Sequence, residues 1–267
     1  MEVPGYTIER LLGQGNIASA YLAHGATDHR KIVLKIINLH SGFDPELLKR
    51  FIKEYNIVAR LEHPHVVHIE ERGFGSDFAF IAMEYCAFGS LKTRITKQGV
   101  SPREALNYTM QIAAGLGAVH SIGVAHRDMK PANLLFRDPQ TLVLTDFGVA
   151  KDLASKDSLT ALGSFVGSVY YCSPEQISRQ DSGPLSDLYS VGVILFQMLT
   201  GRPPFTGKTA AEIMDAHMHA PVPQLPASLS LMQPLIEGLL AKETYDRFQS
   251  AADLVSGITW TARKLNH

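Results

Sequence analysis

The sequence predicts an α+β fold in two lobes, a small strand-rich lobe followed by a larger, mainly helical one. Short runs of β-branched and aromatic residues, separated by glycine and polar turns, fill residues 6–85 and flank a single helical pattern. Beyond residue 90, apolar residues recur every three or four positions, as they do in amphipathic helices. We place the lobes at about 1–85 and 90–265, with a hinge at about 84–90, in one domain spanning 1–267.

Strands of one antiparallel sheet are predicted for the small lobe, because the runs are short and are joined by brief turns. The first two flank a turn that contains Gly13 and Gly15, and a polar loop at residues 24–30 precedes the third. The predicted strands cover residues 6–12, 19–24, 31–38, 66–70 and 78–85.

One helix is predicted within the small lobe, opening at Pro45. Phe51, Ile57 and Leu61 are spaced to share a face, and Glu54 lies on that apolar face. The helix is expected to end before Pro64, because a residue that precedes proline is disfavoured in helical geometry.

Helices dominate the larger lobe. Ser101 is a good N-cap for a helix running to about His120. A second, very apolar helix is predicted from about Ser186, and Gly201 is placed to end it. Further amphipathic helices are predicted from about Ser230 to the end of the chain.

Composition excludes some classes of function. Of 267 residues, 45% are hydrophobic and 19% charged, with a formal net charge of -1, so no nucleic-acid binding is expected. Two widely separated cysteines favour a reduced, cytoplasmic setting, either for the whole protein or for the cytoplasmic domain of a larger membrane protein. The longest apolar run, at 191–199, is far below the roughly 20 residues of a membrane helix, so no membrane span is expected in this chain.

Two features of the small lobe suggest phosphate binding but do not establish it. The segment 13–18 reads GQGNIA after a strand, and glycine there lets backbone N–H groups approach a phosphate, although such a turn is more often only a turn. Lys35 lies in an apolar strand and Glu54 on an apolar helix face, so an ion pair would account for both. The alternative is an edge strand with a solvated lysine.

A third segment is more specific. Residues 126–135 read HRDMKPANLL and residues 146–148 read DFG. Phosphoryl transfer requires a general base, a cation near the transferred phosphate and oxygen ligands for a metal ion. Asp128, Lys130, Asn133 and Asp146 supply these groups in the expected order.

With these motifs the chain resembles the Hanks-type, or eukaryotic-like, serine/threonine protein kinases over essentially its full length, and it is most similar to bacterial members. The residues SPEQ at 173–176 stand where most eukaryotic kinases have Ala-Pro-Glu, and RFQSAADL at 247–254 has a bacterial character. The resemblance implies the bilobal protein kinase fold, ATP as the phosphate donor and Mg²⁺ as the metal ion, with Mn²⁺ as an alternative.

The resemblance implies catalytic roles residue by residue. Asp128 orients the substrate hydroxyl and accepts its proton, and Lys130 contacts the transferring phosphate. Asn133 and Asp146 hold the metal ion. Lys35 contacts the α- and β-phosphates while paired with Glu54.

It also implies an adenine site. The hinge residues Glu84 and Cys86 bind adenine through backbone groups, and Met83 gates the pocket behind them. The Cys86 thiol is expected to be packed, with a reactive thiol as the alternative. The family usually has a valine on the second strand and an alanine on the third, whereas this chain has Ala20 and Val33, so the two side-chain sizes are exchanged. Ala18 replaces the third glycine of the family loop. The remaining residues expected around the nucleotide are Gly13, Gln14, Gly15 and Leu135.

Regulation and specificity follow from the same resemblance. Thr160 is the expected main autophosphorylation site, followed by Ser158 and Ser164, and transfer between two copies would require a homodimer. Lys130 indicates serine or threonine substrates rather than tyrosine. Val149, after the DFG motif, favours threonine over serine.

Two other functions remain open at this level. The chain is a pseudokinase if it binds ATP without transferring phosphate, although the five residues Lys35, Glu54, Asp128, Asn133 and Asp146 are intact. It is a small-molecule kinase if it phosphorylates small alcohols. The segment 167–175, a peptide-docking platform in the resembled family, weighs against that function.

Overall fold

The small lobe is built on one five-stranded antiparallel sheet. The computed structural model describes residues 2–15, 18–39, 55, 58–147 and 166–265. The sheet order is β1-β2-β3-β5-β4, so the last two strands are interchanged relative to the chain order. The strands are β1 (Tyr6–Gln14), β2 (Ala18–Gly25), β3 (Lys31–Asn38), β4 (Ile69–Phe74) and β5 (Phe78–Glu84).

Alternation along β3 separates two faces of this sheet. Ile32, Leu34 and Ile36 are buried in a small cluster that also contains Phe78 and Phe80 from β5. The intervening residues of a strand point to the opposite face. Lys35 lies on that face, beside Ile81 in the β3–β5 register, and it thus projects on the side of the larger lobe.

Several predicted boundaries need correction. β1 extends beyond residue 12, because Gly13 and Gln14 pair with Ala20 and Ser19. The strand predicted at 66–70 instead begins at Ile69 and runs to Phe74. The helix predicted from Pro45 lies mostly outside the described residues, although Tyr55 and Val58 are helical and buried.

The larger lobe is mainly helical. A short hairpin of β6 (Leu134–Phe136) and β7 (Leu142–Leu144) follows a 3-10 turn at Pro131–Asn133. The helices are α1 (Leu91–Lys97), α2 (Pro102–Ser121), α3 (Val166–Val169), α4 (Pro174–Ile177), α5 (Pro184–Thr200), α6 (Ala210–His219), α7 (Gln233–Leu240) and α8 (Ala251–Leu265).

Capping residues fix the two long helices. Ser101 and Glu104 form a reciprocal capping box at the start of α2, which confirms the predicted N-cap. Gly201 ends α5 with a φ of 77°, a conformation that glycine adopts without steric cost. The predicted fold class is confirmed, with an antiparallel sheet in the small lobe and helices in the larger one. Within the described ranges, every helix is too short or too polar to cross a membrane.

The β6–β7 hairpin lies against the small lobe. The Val67 N–H donates to the Leu144 carbonyl at 2.9 Å, and the Leu144 N–H donates to the His65 carbonyl at 3.0 Å. One hydrophobic core contains Ile81 and Met83 of the sheet together with Leu134 and Phe147 of the larger lobe. The residues that follow β6 and β7 are thereby positioned beside the sheet face that carries Lys35.

Candidate active site

A buried carboxylate holds the loop that contains Asp128. Asp187 lies in the first turn of α5 with 1% of its surface exposed. Its two oxygens accept from the backbone N–H groups of His126 at 2.8 Å and Arg127 at 2.7 Å, and His120 Nε2 lies 2.8 Å from the same carboxylate. Arg127 has a φ of 61°, which is uncommon for a non-glycine residue, and these bonds hold it there. Asp187 therefore supports the backbone of this loop.

The catalytic-loop side chains converge on Asp128. Lys130 Nζ donates to Asp128 Oδ2 at 2.8 Å. The Asn133 side-chain amide donates to the same oxygen at 3.0 Å and to the Asp128 carbonyl at 2.9 Å. Because both donors of Asn133 face Asp128, its carbonyl oxygen remains to accept a cation. The three residues therefore form one hydrogen-bonded group.

Lys35 reaches across from the sheet to Asp146. Its ammonium nitrogen lies 2.8 Å from Asp146 Oδ1 and 3.3 Å from the Tyr55 hydroxyl. Burial opposes the charge on Lys35, but the two oxygens outweigh it and raise the lysine pKa. Partial burial acts to raise the pKa of Asp146, but the Lys35 charge and hydrogen bond lower it overall. Both groups are thus charged at neutral pH.

His126 connects the two halves of the site. One ring nitrogen lies 2.9 Å from the Thr145 carbonyl, and the ring packs on Phe147 with centroids 4.8 Å apart. The Thr145 N–H donates to the Asn133 carbonyl at 3.0 Å. Burial lowers the pKa of His126, although the Asp187 and Asp128 carboxylates oppose that effect. A neutral imidazole therefore fixes Asp146 relative to Asp128 and Asn133.

The hinge presents backbone groups rather than reactive side chains. In the described part of the chain, the backbone N–H and C=O groups of Tyr85 and Cys86 make no hydrogen bond. Cys86 is only 7% exposed, and burial beside Glu84 raises the pKa of its thiol to about 12. The thiol is therefore packed, as expected, and its thiolate form is disfavoured. Met83 is buried behind the hinge and accepts from the Thr145 hydroxyl at 3.9 Å.

The predicted nucleotide residues of the sheet lie on neighbouring strands. Ala20 pairs with Lys35, and Val33 pairs with Met83. The Gly15 N–H donates to the Ala18 carbonyl at 2.9 Å, which closes the turn between β1 and β2. Gly13 and Gln14 are exposed in β1 rather than in the turn, and Leu135 lies in β6 beside Val143.

Some sequence predictions concern residues that the structure does not describe. The partner proposed for Lys35, Glu54, lies outside the described ranges, as does Val149. The phosphorylation candidates Ser158, Thr160 and Ser164 also lie outside them.

The structure adds two residues that the sequence reasoning missed. Tyr55 supplies a hydroxyl to Lys35, and its spacing from Phe51 and Val58 was the signal that places it on the same helix face. Arg137 follows β6 and binds the hinge carboxylate Glu84 at 2.6 Å. No local sequence pattern indicates Arg137, because its partners come from distant segments.

The donor set fits a hard divalent cation. Asp146 keeps 46% of its side chain exposed, and only its Oδ1 is engaged by Lys35. Carboxylate and amide oxygens are the ligands that Mg²⁺ and Mn²⁺ accept, commonly with one or two protein groups and phosphates completing the shell. Asn133 and Asp146 together with Lys35 thus suit a metal-bound polyphosphate.

The comparisons with known proteins identify the family. The protein kinase domain family matches residues 6–257, and the chain belongs to that family. The predicted resemblance to bacterial serine/threonine kinases is confirmed by relatives of that name at 31–35% identity.

Three relatives illustrate the likeness. Serine/threonine-protein kinase PrkC of Bacillus subtilis is 35% identical over 98% of this chain and 41% of PrkC. Drp72 of Corynebacterium efficiens is 34% identical over 96% of this chain and 50% of that protein. PknJ of Mycobacterium tuberculosis is 32% identical over 93% of this chain and 44% of PknJ. The chain thus spans about half the length of these curated relatives, or less.

Proposed function

We propose that this chain is a serine/threonine protein kinase domain that transfers the γ-phosphate of ATP to protein hydroxyls. One observation carries the proposal: the Lys35–Asp146 ion pair lies beside the hydrogen-bonded group of Asp128, Lys130 and Asn133. The whole chain 1–267 would act as one kinase domain, with the lobes meeting near residues 84–90.

Asp128 is the proposed base and orienting group. Its carboxylate accepts the hydrogen bond of the substrate hydroxyl and takes the proton as the new O–P bond forms. The bond between the γ-phosphorus and the oxygen that bridges to the β-phosphate breaks, and ADP leaves. Lys130, 2.8 Å from Asp128, keeps positive charge beside the transferring phosphoryl group. Asn133 keeps Asp128 in place through two hydrogen bonds, so the base needs little reorganisation during the reaction.

Asn133 and Asp146 are the proposed ligands of Mg²⁺, with Mn²⁺ as an alternative. A bound divalent cation would screen the negative charge of the phosphates. Lys35 binds the α- and β-phosphates, and Glu54 is its proposed second partner. The polar backbone edge at Glu84 to Cys86 binds adenine. Ala20, Val33, Met83 and Leu135 enclose the ring, while Gly13, Gln14, Gly15 and Ala18 cover the phosphates.

Substrates and regulation belong to the same proposal. Protein substrates with serine or threonine are expected, and Val149 favours threonine. Thr160 is the proposed main autophosphorylation site, with Ser158 and Ser164 next, and transfer between two copies would take place in a homodimer. Two free cysteines favour a reducing, cytoplasmic location, either for the whole protein or for the cytoplasmic domain of a larger membrane protein.

The decisive experiment compares the wild-type chain with Asp128→Asn after incubation with ATP and Mg²⁺, followed by mass spectrometry. Wild type should carry new phosphate on serine or threonine, and the variant should be slower by on the order of a thousandfold or more. Nucleotide binding without phosphate transfer by wild type would favour a pseudokinase. Turnover of a small alcohol with no protein phosphorylation would favour a small-molecule kinase.

The same samples test the proposed autophosphorylation sites. Phosphopeptide mapping should find phosphate between residues 152 and 167, mainly at Thr160. An active, autophosphorylated protein with no phosphate in that segment would contradict the proposed sites. A peptide array in which serine is used as well as threonine would contradict the threonine preference.

A further inference from the structure

Arg137 joins the larger lobe to the hinge through a bidentate ion pair. It follows β6, and its Nε and one terminal nitrogen donate to the two carboxylate oxygens of Glu84 at 2.8 and 2.6 Å. A planar guanidinium that meets a carboxylate in this parallel arrangement fixes direction as well as distance. Glu84 is the last residue of β5 and the first residue of the proposed adenine-binding edge.

The same guanidinium also binds the segment that leads into β4. It donates to the Pro64 carbonyl at 2.7 Å and to the Val66 carbonyl at 3.2 Å. Glu84 completes the connection, because its carboxylate accepts from the His68 N–H at 2.8 Å and its own N–H donates to the His68 carbonyl at 3.0 Å. One arginine therefore holds three segments together: the hinge, residues 64–68 and the β6–β7 hairpin.

The ion pair is partly shielded from water, which strengthens it compared with a surface pair. Arg137 and Glu84 have side-chain exposures of 33% and 20%. Although burial acts to raise the pKa of Glu84, the hydrogen bonds from Arg137 and the His68 N–H lower it overall. The Arg137 side chain cannot lose its charge, so its ion pair with Glu84, called the clamp below, persists at all pH values where Glu84 is ionised.

The neighbouring backbone explains why this clamp matters. The peptide groups of Tyr85 and Cys86 have no hydrogen-bond partner in the ranges that the structure describes, so nothing in the strand ladder fixes their direction. Their orientation therefore depends on the anchored residues on either side of them. Glu84 precedes them and is held through its side chain and its N–H, and Phe88 and Gly89 follow them and hydrogen-bond to the Phe136 backbone. A hydrogen bond to a ligand weakens steeply when the donor is turned away.

We propose that Arg137 is a positioning residue for the nucleotide, which acts by anchoring Glu84 so that the hinge backbone meets the adenine ring in a fixed direction. This inference rests on the proposed function, because it assumes that the hinge binds ATP. Arg137 takes no part in the transfer step, so its loss weakens nucleotide binding and leaves the turnover of bound substrate nearly unchanged.

The test compares Arg137→Met with Arg137→Lys and Glu84→Gln in the full 267-residue chain. Arg137→Met should weaken binding of a fluorescent ADP analogue and raise the KM for ATP by about tenfold, with kcat within about twofold of wild type. Arg137→Lys should recover only part of the affinity, because an ammonium cannot bind both carboxylate oxygens and both carbonyls. In the double variant Arg137→Met/Glu84→Gln, the two losses should not add.

Arg94→Met is the matched control. Arg94 supports the same hairpin from α1, since it stacks on the Phe136 ring at 3.9 Å and donates to the Pro139 carbonyl at 3.0 Å. Within the part of the chain that the structure describes, its side chain makes no hydrogen bond or ion pair with Glu84, Tyr85 or Cys86. It should lower the melting temperature while keeping wild-type nucleotide affinity. If Arg137→Met fails to fold, Glu84→Gln and Arg137→Lys still measure the clamp.

The outcomes separate this inference from the proposed function. If wild type binds no nucleotide, the proposed function fails. If wild type binds but Arg137→Met and Glu84→Gln bind equally well, the positioning role is wrong. Equal losses of affinity in Arg94→Met and Arg137→Met would also overturn it, because the effect would then reflect general support of the hairpin.

Discussion

Replacement of Asp187 by asparagine isolates the contribution of one buried carboxylate to the catalytic loop. The two residues have nearly the same shape, but asparagine has only one acceptor oxygen. Asp187 Oδ1 accepts from the Arg127 N–H, and Oδ2 accepts from the His126 N–H. Whichever way the new amide turns, one of these two backbone N–H groups faces an NH₂ group and loses its acceptor.

The expected size follows from these bonds. A hydrogen bond to a charged group contributes about 1.5–3 kcal/mol, and a buried donor left without a partner costs about 1–3 kcal/mol. The site is only 1% exposed, so water cannot replace the lost acceptor. We therefore expect Asp187→Asn to lower the free energy of unfolding by about 2–4 kcal/mol, which a domain of ordinary stability survives.

The kcat of Asp187→Asn should fall by more than the loss of folding stability alone would cause. Arg127 holds a φ of 61° next to Asp128, and with one anchor lost this strained backbone can relax. A displacement of about 1 Å at a reacting group can reduce the rate about a hundredfold. We expect kcat to fall by that order while the KM for ATP changes less than about threefold, because Asp187 supports Asp128 and not the hinge.

The assays are urea unfolding followed by tryptophan fluorescence, and steady-state kinetics at saturating ATP and peptide. Arg247→Met is the control, since it removes a buried ion pair with Glu175 but leaves both backbone N–H bonds to Asp187 in place. It should reduce stability without the same loss of kcat. If Asp187→Asn kept both wild-type stability and wild-type kcat, the loop would not depend on this carboxylate. A fall in kcat equal to that of Arg247→Met would mean that stability alone is responsible.

Two further predictions concern other buried groups. The side chain of Arg247 is fully buried and binds Glu175, whose side chain is 8% exposed, at 2.7 and 2.8 Å. Arg247→Met should therefore lower the free energy of unfolding, measured by urea titration, by about 3–5 kcal/mol. A loss below about 1 kcal/mol would contradict a stabilising ion pair. Burial raises the pKa of the Cys86 thiol to about 12. Iodoacetamide at pH 8 should therefore alkylate Cys86 about a hundredfold more slowly in the native protein than in the urea-unfolded chain. Similar rates in the two states would show that the thiol is accessible and ionised.

Local patterns predicted most of the fold. The strand that contains Lys35 and the N-cap at Ser101 depend on residues close in sequence, so local patterns predict both. The boundary of β4 was placed too early. Val66 makes a single bridge to Leu144 of the larger lobe, and the strand pairing with β5 starts at Ile69. That choice depends on a tertiary contact and not on local propensity.

In the candidate site, too, some contacts follow from local sequence and others depend on tertiary structure. Asp128, Lys130 and Asn133 lie within one short loop, so their order in the sequence already predicted that they act together. Glu175 and Arg247 form a buried ion pair across 72 residues, a long-range contact that spacing along the chain does not predict. The hydroxyl of Tyr55 beside Lys35 was missed, since an apolar helix face does not reveal which of its members carries the useful polar atom.

The sequence by itself determined the family, the order of the lobes and the identities of the groups that handle phosphate, because these depend on residue type and on spacing along the chain. Only the tertiary structure decided how those groups are supported. Asp187 reaches the catalytic loop from 60 residues away, and Arg137 reaches Glu84 across 53 residues. Such contacts are set by the packing of whole lobes, in which a single side chain can join segments that no local pattern relates.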